Sequence, residues 1–204
     1  MALKVLTAPA VEPVSTSDMK LHLRVDHSTD DSLIAALITG ARDYVERHTR
    51  RTLVNTTYRL TLDYFPDGPI ELPRQPASQI ASGGGYAYAM PRIRYYDVDG
   101  NQQTLTYAAE DFELGLDSNP PMLHLTPMDT WPNTENGKAN AVEVDYVAGF
   151  GAAAASVPSL LVQCVKLLVG HWYENRAAVQ PGFGGEVPLA VDSILKIYSS
   201  GDYQ

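Results

Sequence analysis

The sequence contains a single cysteine, Cys164, among its 204 residues. One thiol cannot form an intramolecular disulfide, and it cannot supply a cysteine-rich metal site. The sequence therefore predicts a fold without covalent cross-links, which suits assembly in a reducing cytoplasm.

Basic residues are also scarce. The chain has 15 Lys and Arg against 24 Asp and Glu, which gives a formal net charge of -9. Tight, general binding of nucleic acid requires cations that neutralise phosphates, so this balance disfavours it. An acidic surface can still line a passage for DNA, because like charges discourage adhesion.

Long apolar runs are missing. No stretch reaches the roughly 18 consecutive apolar residues of a transmembrane helix, and the segment Met1–Leu6 lacks the apolar run of a signal peptide. Hydrophobic residues nevertheless make up 45% of the chain, a share typical of globular proteins. A chain of this size can bury one sizeable core, or a core and a smaller lobe.

Both ends of the chain carry helical patterns. Apolar residues spaced three and four apart predict an amphipathic helix from Asp30 to about Thr49. A broad apolar face predicts a heavily buried helix from Pro158 to about Asn175. Shorter helices are predicted over residues 15–23, where serines can cap the first turn, and from about Leu189 to Tyr198.

The middle of the chain follows the two-residue period of strands. Candidate strands lie within 52–64 and at 70–72, 112–114, 122–125 and 141–147. Residues 92–107 predict a hairpin with a tight turn at Asp99-Gly100. Glycine and proline predict loops at 82–90 and 126–140.

These patterns predict an α+β fold, in which the N- and C-terminal helices form one helical bundle and an antiparallel β lobe is inserted between them. The expected domain limits are an extended N-terminal arm over 1–14, the bundle over 15–51 and 150–178, the β region over 52–149, and a linker with a short helix over 179–204.

The sequence offers no catalytic constellation. Residues 83–85 are glycines, but no helix start with Lys follows them, as a phosphate loop requires. His171 and Glu174 have a spacing that binds metal in paired copies, and there is no second copy. Cys164 lies in an apolar helical stripe, whereas a reactive thiolate needs an open, electropositive setting. We therefore predict no catalytic, metal or cofactor-binding residues.

Candidate assembly contacts lie at the helix ends. A basic cluster at the end of the first long helix either stabilises the C-terminus of that helix against its dipole or contacts DNA or an acidic partner. Aromatic residues near the end of the second long helix suggest packing and interface roles, and the last helix has an apolar side. The candidates are Arg47, Arg50, Arg51, His171, Trp172, Tyr173, Ile194, Leu195 and Tyr198.

Two segments together carry a family resemblance. The first runs through Lys20–Asp26 and Leu33–Leu53. The second runs through Val144–Gly151 and then residues 157–176. In this order, and flanking a β region, they resemble the head–tail connector (adaptor, or head-completion) proteins of tailed phages, including phage proteins once suggested to act in DNA packaging. The resemblance covers about half of the chain, and the loops at 82–90 and 126–140 look like additions.

The resemblance implies a structural virion protein at the head–tail interface, assembled in the host cytoplasm and without cofactors. It implies a ring of about a dozen copies that binds below the portal protein and extends the DNA channel toward tail or neck proteins. Double-stranded DNA would pass without sequence-specific binding, and no membrane is involved. The alternatives are another neck or tail protein, such as a tail terminator or baseplate adaptor, and a DNA-packaging enzyme.

Three expectations about assembly follow from this reading. The two long helices should pack together. The ring interface should use the outer face of the first long helix and the β lobe of a neighbour. The C-terminal residues 180–204 should dock onto the portal or an adjacent subunit, so that their deletion leaves a folded protein that cannot join heads to tails.

Overall fold

The computed structural model describes residues 1–77, 92–105, 112–115, 120–125, 130–175 and 189–199. The loop predicted at 82–90 lies outside these ranges, as do residues 126–129 of the second predicted loop and residues 176–188. Two compact units divide the chain. One comprises residues 1–9 and 55–149, and the other comprises residues 10–54 and 150–204. We call them the sheet unit and the helical unit.

The helical unit contains α1 (Thr16–Leu23), α2 (Asp31–Thr49), α3 (Ser159–Glu174) and α4 (Leu189–Ser199). A short 3-10 helix, Ala154–Ser156, precedes α3. The four helices lie where the apolar periodicity predicts them, and their ends differ from the predicted ends by about one residue.

Local signals set the ends of α1 and α2. The Ser15 hydroxyl accepts a hydrogen bond from the Asp18 backbone N–H at 3.0 Å, which caps the first turn of α1. Both helices end at an arginine in the left-handed region, Arg24 with φ 58° and Arg50 with φ 57°. A left-handed residue directs the chain away from the helix axis and stops the helical hydrogen-bond pattern.

Apolar side chains from α2, α3 and α4 form the core of the helical unit, and α1 contributes Met19. The prediction that the two long helices pack together is confirmed. Full burial of a side chain as large as leucine or isoleucine contributes about 1.5–3 kcal/mol, so this core is the main source of the unit's stability. Its central members are Ile34, Ile38, Ala41, Val45, Leu161, Cys164, Val165, Leu168, Val191 and Leu195.

One buried carboxylate secures the chain after α2. The Glu46 side chain is 6% exposed, and it accepts a hydrogen bond from the Leu53 N–H at 2.8 Å. Arg42 lies 3.6 Å from it on the same helix and also donates to Glu12 at 2.8 Å. These bonds satisfy polar groups that would otherwise be costly to bury, and they hold residues 12 and 53 against α2.

The sheet unit contains two antiparallel sheets. The strands are β1 (Ala2–Thr7), β2 (Thr56–Leu62), β3 (Ile70–Glu71), β4 (Arg92–Tyr96), β5 (Gln102–Leu105), β6 (Phe112–Gly115), β7 (Met122–Leu125) and β8 (Val142–Ala148). The larger sheet has the order β1-β2-β8-β4-β5 and the smaller has the order β3-β7-β6. Strand β1 lies within the arm predicted over 1–14, and it pairs with β2. The α+β class and the antiparallel middle region are confirmed.

Alternation along the central strands gives the larger sheet one apolar face. Leu60 lies opposite Val144, and Ile93 also lies opposite Val144 from the other side. All three are fully buried in the core of the sheet unit. Because successive side chains point to opposite faces of a strand, their neighbours Arg59 and Arg94 lie on the other face.

The predicted hairpin is confirmed as β4 and β5, but its turn is displaced. Gly100 N–H donates to the Asp97 carbonyl at 3.0 Å, so the central turn residues are Val98 and Asp99 rather than Asp99 and Gly100. The Asp97 carboxylate accepts bonds from the N–H groups of Asp99 and Asn101, which favours this turn. Gly100 has φ +80°, a conformation that glycine adopts without strain.

Candidate assembly surfaces

The basic cluster at the end of α2 divides into two parts. Arg47 and Arg50 are exposed, and neither forms an ion pair within the described ranges. Arg51 is only partly exposed, and its Nε donates to the Tyr198 carbonyl at 3.1 Å. Its guanidinium also lies over the Tyr198 ring, 5.8 Å from the ring centroid. Arg47 and Arg50 are therefore available to a partner, whereas Arg51 is engaged within the chain.

The contact between Arg51 and Tyr198 fastens the end of α4 to the end of α2. Partial burial of the guanidinium lowers the pKa of Arg51, and the Tyr198 hydroxyl partly offsets that lowering. The group remains positively charged, because an arginine pKa lies far above neutral pH. A cation over an aromatic ring contributes roughly 0.5–1 kcal/mol at a partly exposed site, so this contact helps to order α4.

The aromatic residues near the end of α3 contact α2 and the chain before it. The Trp172 ring packs edge-on against Tyr44, with centroids 6.1 Å apart. The Tyr173 hydroxyl donates to the Asp30 carboxylate at 2.5 Å. The His171 carbonyl accepts a bond from the Asn175 side chain at 2.9 Å. All three predicted contact residues are half-buried, so packing inside the unit occupies much of their surface.

The two sides of α4 differ sharply in burial. Ile194 is 8% exposed and Leu195 1% exposed, so both side chains pack into the helical core and can affect assembly only by holding α4 in place. Leu189 and Ile197 are exposed, and we did not single them out from the sequence. A list of every apolar residue of α4, rather than only those on its most apolar side, would have included both.

An aromatic hollow lies at one end of the sheet unit. It has a volume of about 720 Å³ and is lined in part by Tyr64, Pro66, Asp67 and Trp131. The Trp131 ring stacks on Phe65 at 5.0 Å with an interplanar angle of 3°, and its indole N–H donates to the Gly68 carbonyl at 2.9 Å. The sequence predicts only an irregular loop around Trp131, so this hollow was missed.

A second hollow adjoins the first. It has a volume of about 330 Å³, and Met1, Leu62, Asp63 and Glu71 contribute to its lining. The two hollows share Tyr64, Pro66 and Pro69, so these residues form a ridge between them. We call the ridge and its two hollows the Tyr64 ridge. The Tyr64 side chain is 71% exposed, so its ring is accessible to a partner.

Four charged side chains form a network on the polar face of the larger sheet. Asp145 accepts hydrogen bonds from both Arg59 Nε at 2.6 Å and Arg59 Nη2 at 2.9 Å. Arg94 lies 2.7 Å from Glu143 and 3.4 Å from Asp145. The hydrogen bond to Asp145 is the main reason that the pKa of Arg59 is raised. The two-pronged geometry makes this a rigid, specific contact between β2 and β8.

The described residues give little support for enzyme chemistry. No group of three or more His, Cys, Asp or Glu side chains in the described part of the chain could hold a metal ion. Cys164 is buried, and burial raises the pKa of its thiol to about 11, so it is protonated at neutral pH and a weak nucleophile. None of the described helices is both long enough and apolar enough to cross a membrane.

Comparison with known proteins bears on the resemblance seen in the sequence. Residues 14–89 match the model of the family described as Phage gp6-like head-tail connector protein. The likeness to this connector family therefore covers less than half of the chain. The matched segment spans α1, α2, β2 and β3, which includes the first of the two sequence segments that carry the resemblance. The description of the matched family is that of a connector and not of an enzyme.

Solved structures extend the likeness across the fold of the chain. A chain from "Virion of native gene transfer agent (GTA) particle" superposes with a TM-score of 0.75 at 22% identity, covering 97% of this chain and 95% of the other. Chains from the necks of empty and native GTA particles, computed with C6 and C12 symmetry, give TM-scores of 0.74 and 0.71 at 22% identity. They cover 97% of this chain, and 95% and 94% of their own length. No curated protein sequence matches the chain.

Proposed function

We propose that this chain is a head–tail connector protein, which assembles as a ring in the neck of a phage-like particle, binds below the portal and extends the DNA channel toward the tail. The observation that carries the proposal is the shared fold, over 97% of the chain, with a chain of a GTA neck computed with C12 symmetry. A subunit of a closed ring presents two different surfaces to its two neighbours, so a ring of about a dozen copies is the expected assembly.

Within each subunit, we propose that α1 to α4 form a helical bundle that serves as the ring body, with the β region inserted as a lobe. Two features support this division. The helices contact one another, and each unit has its own hydrophobic core. A unit with its own core can keep its shape while its surface adapts to a partner.

The partners proposed for the ring are the portal above, neck or tail proteins below, and double-stranded DNA that passes through. The net charge of -9 supports passage without adhesion, since DNA is repelled by a predominantly acidic lining. We assign the contact with the portal, or with an adjacent subunit, to the C-terminal residues 180–204. In that segment Leu189 is 83% exposed and Ile197 38% exposed, and both are suited to covering by another chain.

The structure changes the best test of this C-terminal contact. Deletion of 180–204 was expected to leave a folded protein, but it would remove Val191, Ile194 and Leu195 from the helical core. Substitution of the exposed residues is cleaner, because it leaves the core intact. The test variant is Leu189→Ser with Ile197→Ser, and the matched control is Leu160→Ser, an exposed leucine near the start of α3.

The experiment mixes purified protein with portal-bearing, DNA-filled heads and images the products by electron microscopy. The natural sequence and the Leu160→Ser control are expected to form a ring below the portal and to allow tails to join. The double variant is expected to remain folded and to lose ring occupancy. A ring found at the tail tip, or no ring at all with the natural sequence, would overturn the proposed function. Normal occupancy by the double variant would overturn the C-terminal contact alone.

A further inference from the structure

We infer that Arg47 and Arg50 of one subunit dock onto the Tyr64 ridge of the next subunit, and that this contact joins neighbours around the ring. The inference rests on the proposed ring and names the surfaces that form it. It commits to one occupant of the ridge, a second copy of this chain.

Opposite charges are left unpaired on the two surfaces. Asp67 contributes to one hollow of the Tyr64 ridge and Glu71 to the other, and both residues are exposed. Neither has an ion-pair partner among the described residues, and the same holds for Arg47 and Arg50. Arg47 and Arg50 lie three residues apart in the sequence, and the ridge presents two carboxylates with which they can pair.

The two surfaces also match in their number of charges. Arg47 lies in the last turn of α2 and Arg50 directly follows the last helical residue, Thr49, so both arginines lie at the C-terminal end of this helix. The ridge offers two hollows, one on either side of Tyr64, each with a carboxylate. One guanidinium can enter each hollow, pair with its carboxylate through two parallel hydrogen bonds, and stack against the exposed Tyr64 ring.

The composition of the ridge is that of an interface centre. Tyrosine, tryptophan and arginine are the residues that most often dominate binding energy between proteins, and prolines present a rigid surface with little entropy to lose. Val98, at 64% exposed, extends the apolar part of the larger hollow. Because the donor and acceptor surfaces differ, the contact is head-to-tail, which is the kind of contact that a ring of identical subunits repeats.

Cysteine cross-linking in assembled particles tests the contact directly. Two proteins, one with Arg50→Cys and one with Asp67→Cys, are mixed in equal amounts with portal-bearing heads and oxidised. The native Cys164 is buried and does not compete. A cross-linked dimer is expected only from the mixture, because each protein alone lacks the second thiol. The control replaces Arg50→Cys with Arg24→Cys, since Arg24 is an exposed arginine with the same left-handed helix-end conformation.

Charge reversal tests the energetics of the same contact. Arg47→Glu with Arg50→Glu is expected to reduce ring occupancy by at least about tenfold, since two charge pairs become repulsive. Adding Asp67→Arg and Glu71→Arg to the same chain is expected to restore occupancy. Arg24→Glu, the matched control, is expected to leave occupancy unchanged.

The outcomes separate this inference from the proposed function. Failure of the natural sequence to enter the neck overturns both. A normal ring without the cross-link, and with normal occupancy by the Arg47→Glu, Arg50→Glu protein, overturns the inference and leaves the proposed function standing. Normal occupancy combined with loss of packaged DNA would mean that the two arginines face DNA, and this also overturns the inference.

Discussion

The two units of the chain achieve stability in different ways. In the helical unit, the core joins α2 with α3, which lie on opposite sides of the whole β region in sequence. In the sheet unit, the backbone ladder between β2 and β8 carries a charged network on its polar face. Both units therefore add ion pairs to an apolar core. In the helical unit Arg42 and Glu46 pair along a single helix, whereas in the sheet unit the pairs join neighbouring strands.

The chain offers a natural means of testing this contrast, because each unit contains one of the two tryptophans. Trp131 stacks on Phe65 in the sheet unit, and Trp172 packs against Tyr44 in the helical unit. The Trp131→Phe protein keeps only Trp172, so its fluorescence reports unfolding of the helical unit. The Trp172→Phe protein keeps only Trp131, so its fluorescence reports unfolding of the sheet unit. Each of the following substitutions is compared within one background.

The largest expected effect comes from the helical core. Leu168→Ala removes a fully buried side chain and is expected to lower the free energy of unfolding of the helical unit by about 3 kcal/mol, through lost burial and a residual cavity. Urea titration of Trp172 fluorescence measures it. Leu160→Ala, on the exposed side of the same helix, should cost below about 1 kcal/mol. An equal shift of the Trp131 transition would show that the two cores unfold together and would remove the contrast.

The next effect belongs to the charged network of the sheet unit. Asp145→Asn leaves the side chain in place but removes the charge that pairs with Arg59 and Arg94. The expected cost is about 2 kcal/mol, because two partly buried guanidinium groups lose a charged hydrogen-bond partner. The readout is the urea midpoint of Trp131 fluorescence.

An exposed ion pair supplies the comparison for that network. Lys196 and Asp192 lie 2.7 Å apart on α4, with side chains 75% and 42% exposed. Water screens such a pair, so Lys196→Met should lower the stability of the helical unit by less than about 1 kcal/mol. If the two substitutions cost the same, the network on the sheet does not contribute more than a surface pair.

A smaller effect is expected at the start of α1. Ser15→Ala removes the hydroxyl that caps the first turn and should lower the free energy of unfolding of the helical unit by about 1 kcal/mol. Ser32→Ala, at an exposed serine in the first turn of α2, is the matched control and should be nearly neutral. Equal effects of the two substitutions would mean that the cap contributes nothing specific.

Features encoded by neighbouring residues are the ones that the sequence predicts. The amphipathic spacing of α2 and the apolar face of α3 locate both helices, and alternation locates the strands. Pairing between distant segments has no local pattern. The partner of Ala2–Thr7 lies at β2, so its place at the sheet edge could not be anticipated from residues 1–14. The Tyr64 ridge was missed for the same reason, since Tyr64 and Trp131 meet only after the strands have paired.

Local chemistry also misleads where several side chains compete for the same bonds. Asp99-Gly100 is a common two-residue turn, but Asp97 binds two later N–H groups and moves the turn back by one residue.

Among the assembly candidates, Ile194 and Leu195 were identified by apolarity, and the structure places both in the core. Apolarity alone does not separate a core position from an interface position, since both require water to be excluded.

The last prediction concerns ionisation of the buried Cys164 thiol. It should affect the stability of the helical unit at alkaline pH and have no effect at neutral pH. Burial raises the pKa of Cys164 from 9.0 to about 11. Above about pH 9 the unfolded chain loses the thiol proton and the folded chain keeps it, so the free energy of unfolding falls as pH rises from 9 to 11. In the Trp172 transition, Cys164→Ala should make the free energy of unfolding less dependent on pH between 9 and 11. Near pH 7 the substitution should shift the free energy of unfolding by an amount that does not vary with pH. The sheet unit has its own buried acid, Tyr146, whose pKa is also raised by burial, so the Trp131 transition should respond to Tyr146→Phe and not to Cys164→Ala. The same pH slope with and without the thiol would mean that Cys164 reaches solvent before the helical unit unfolds.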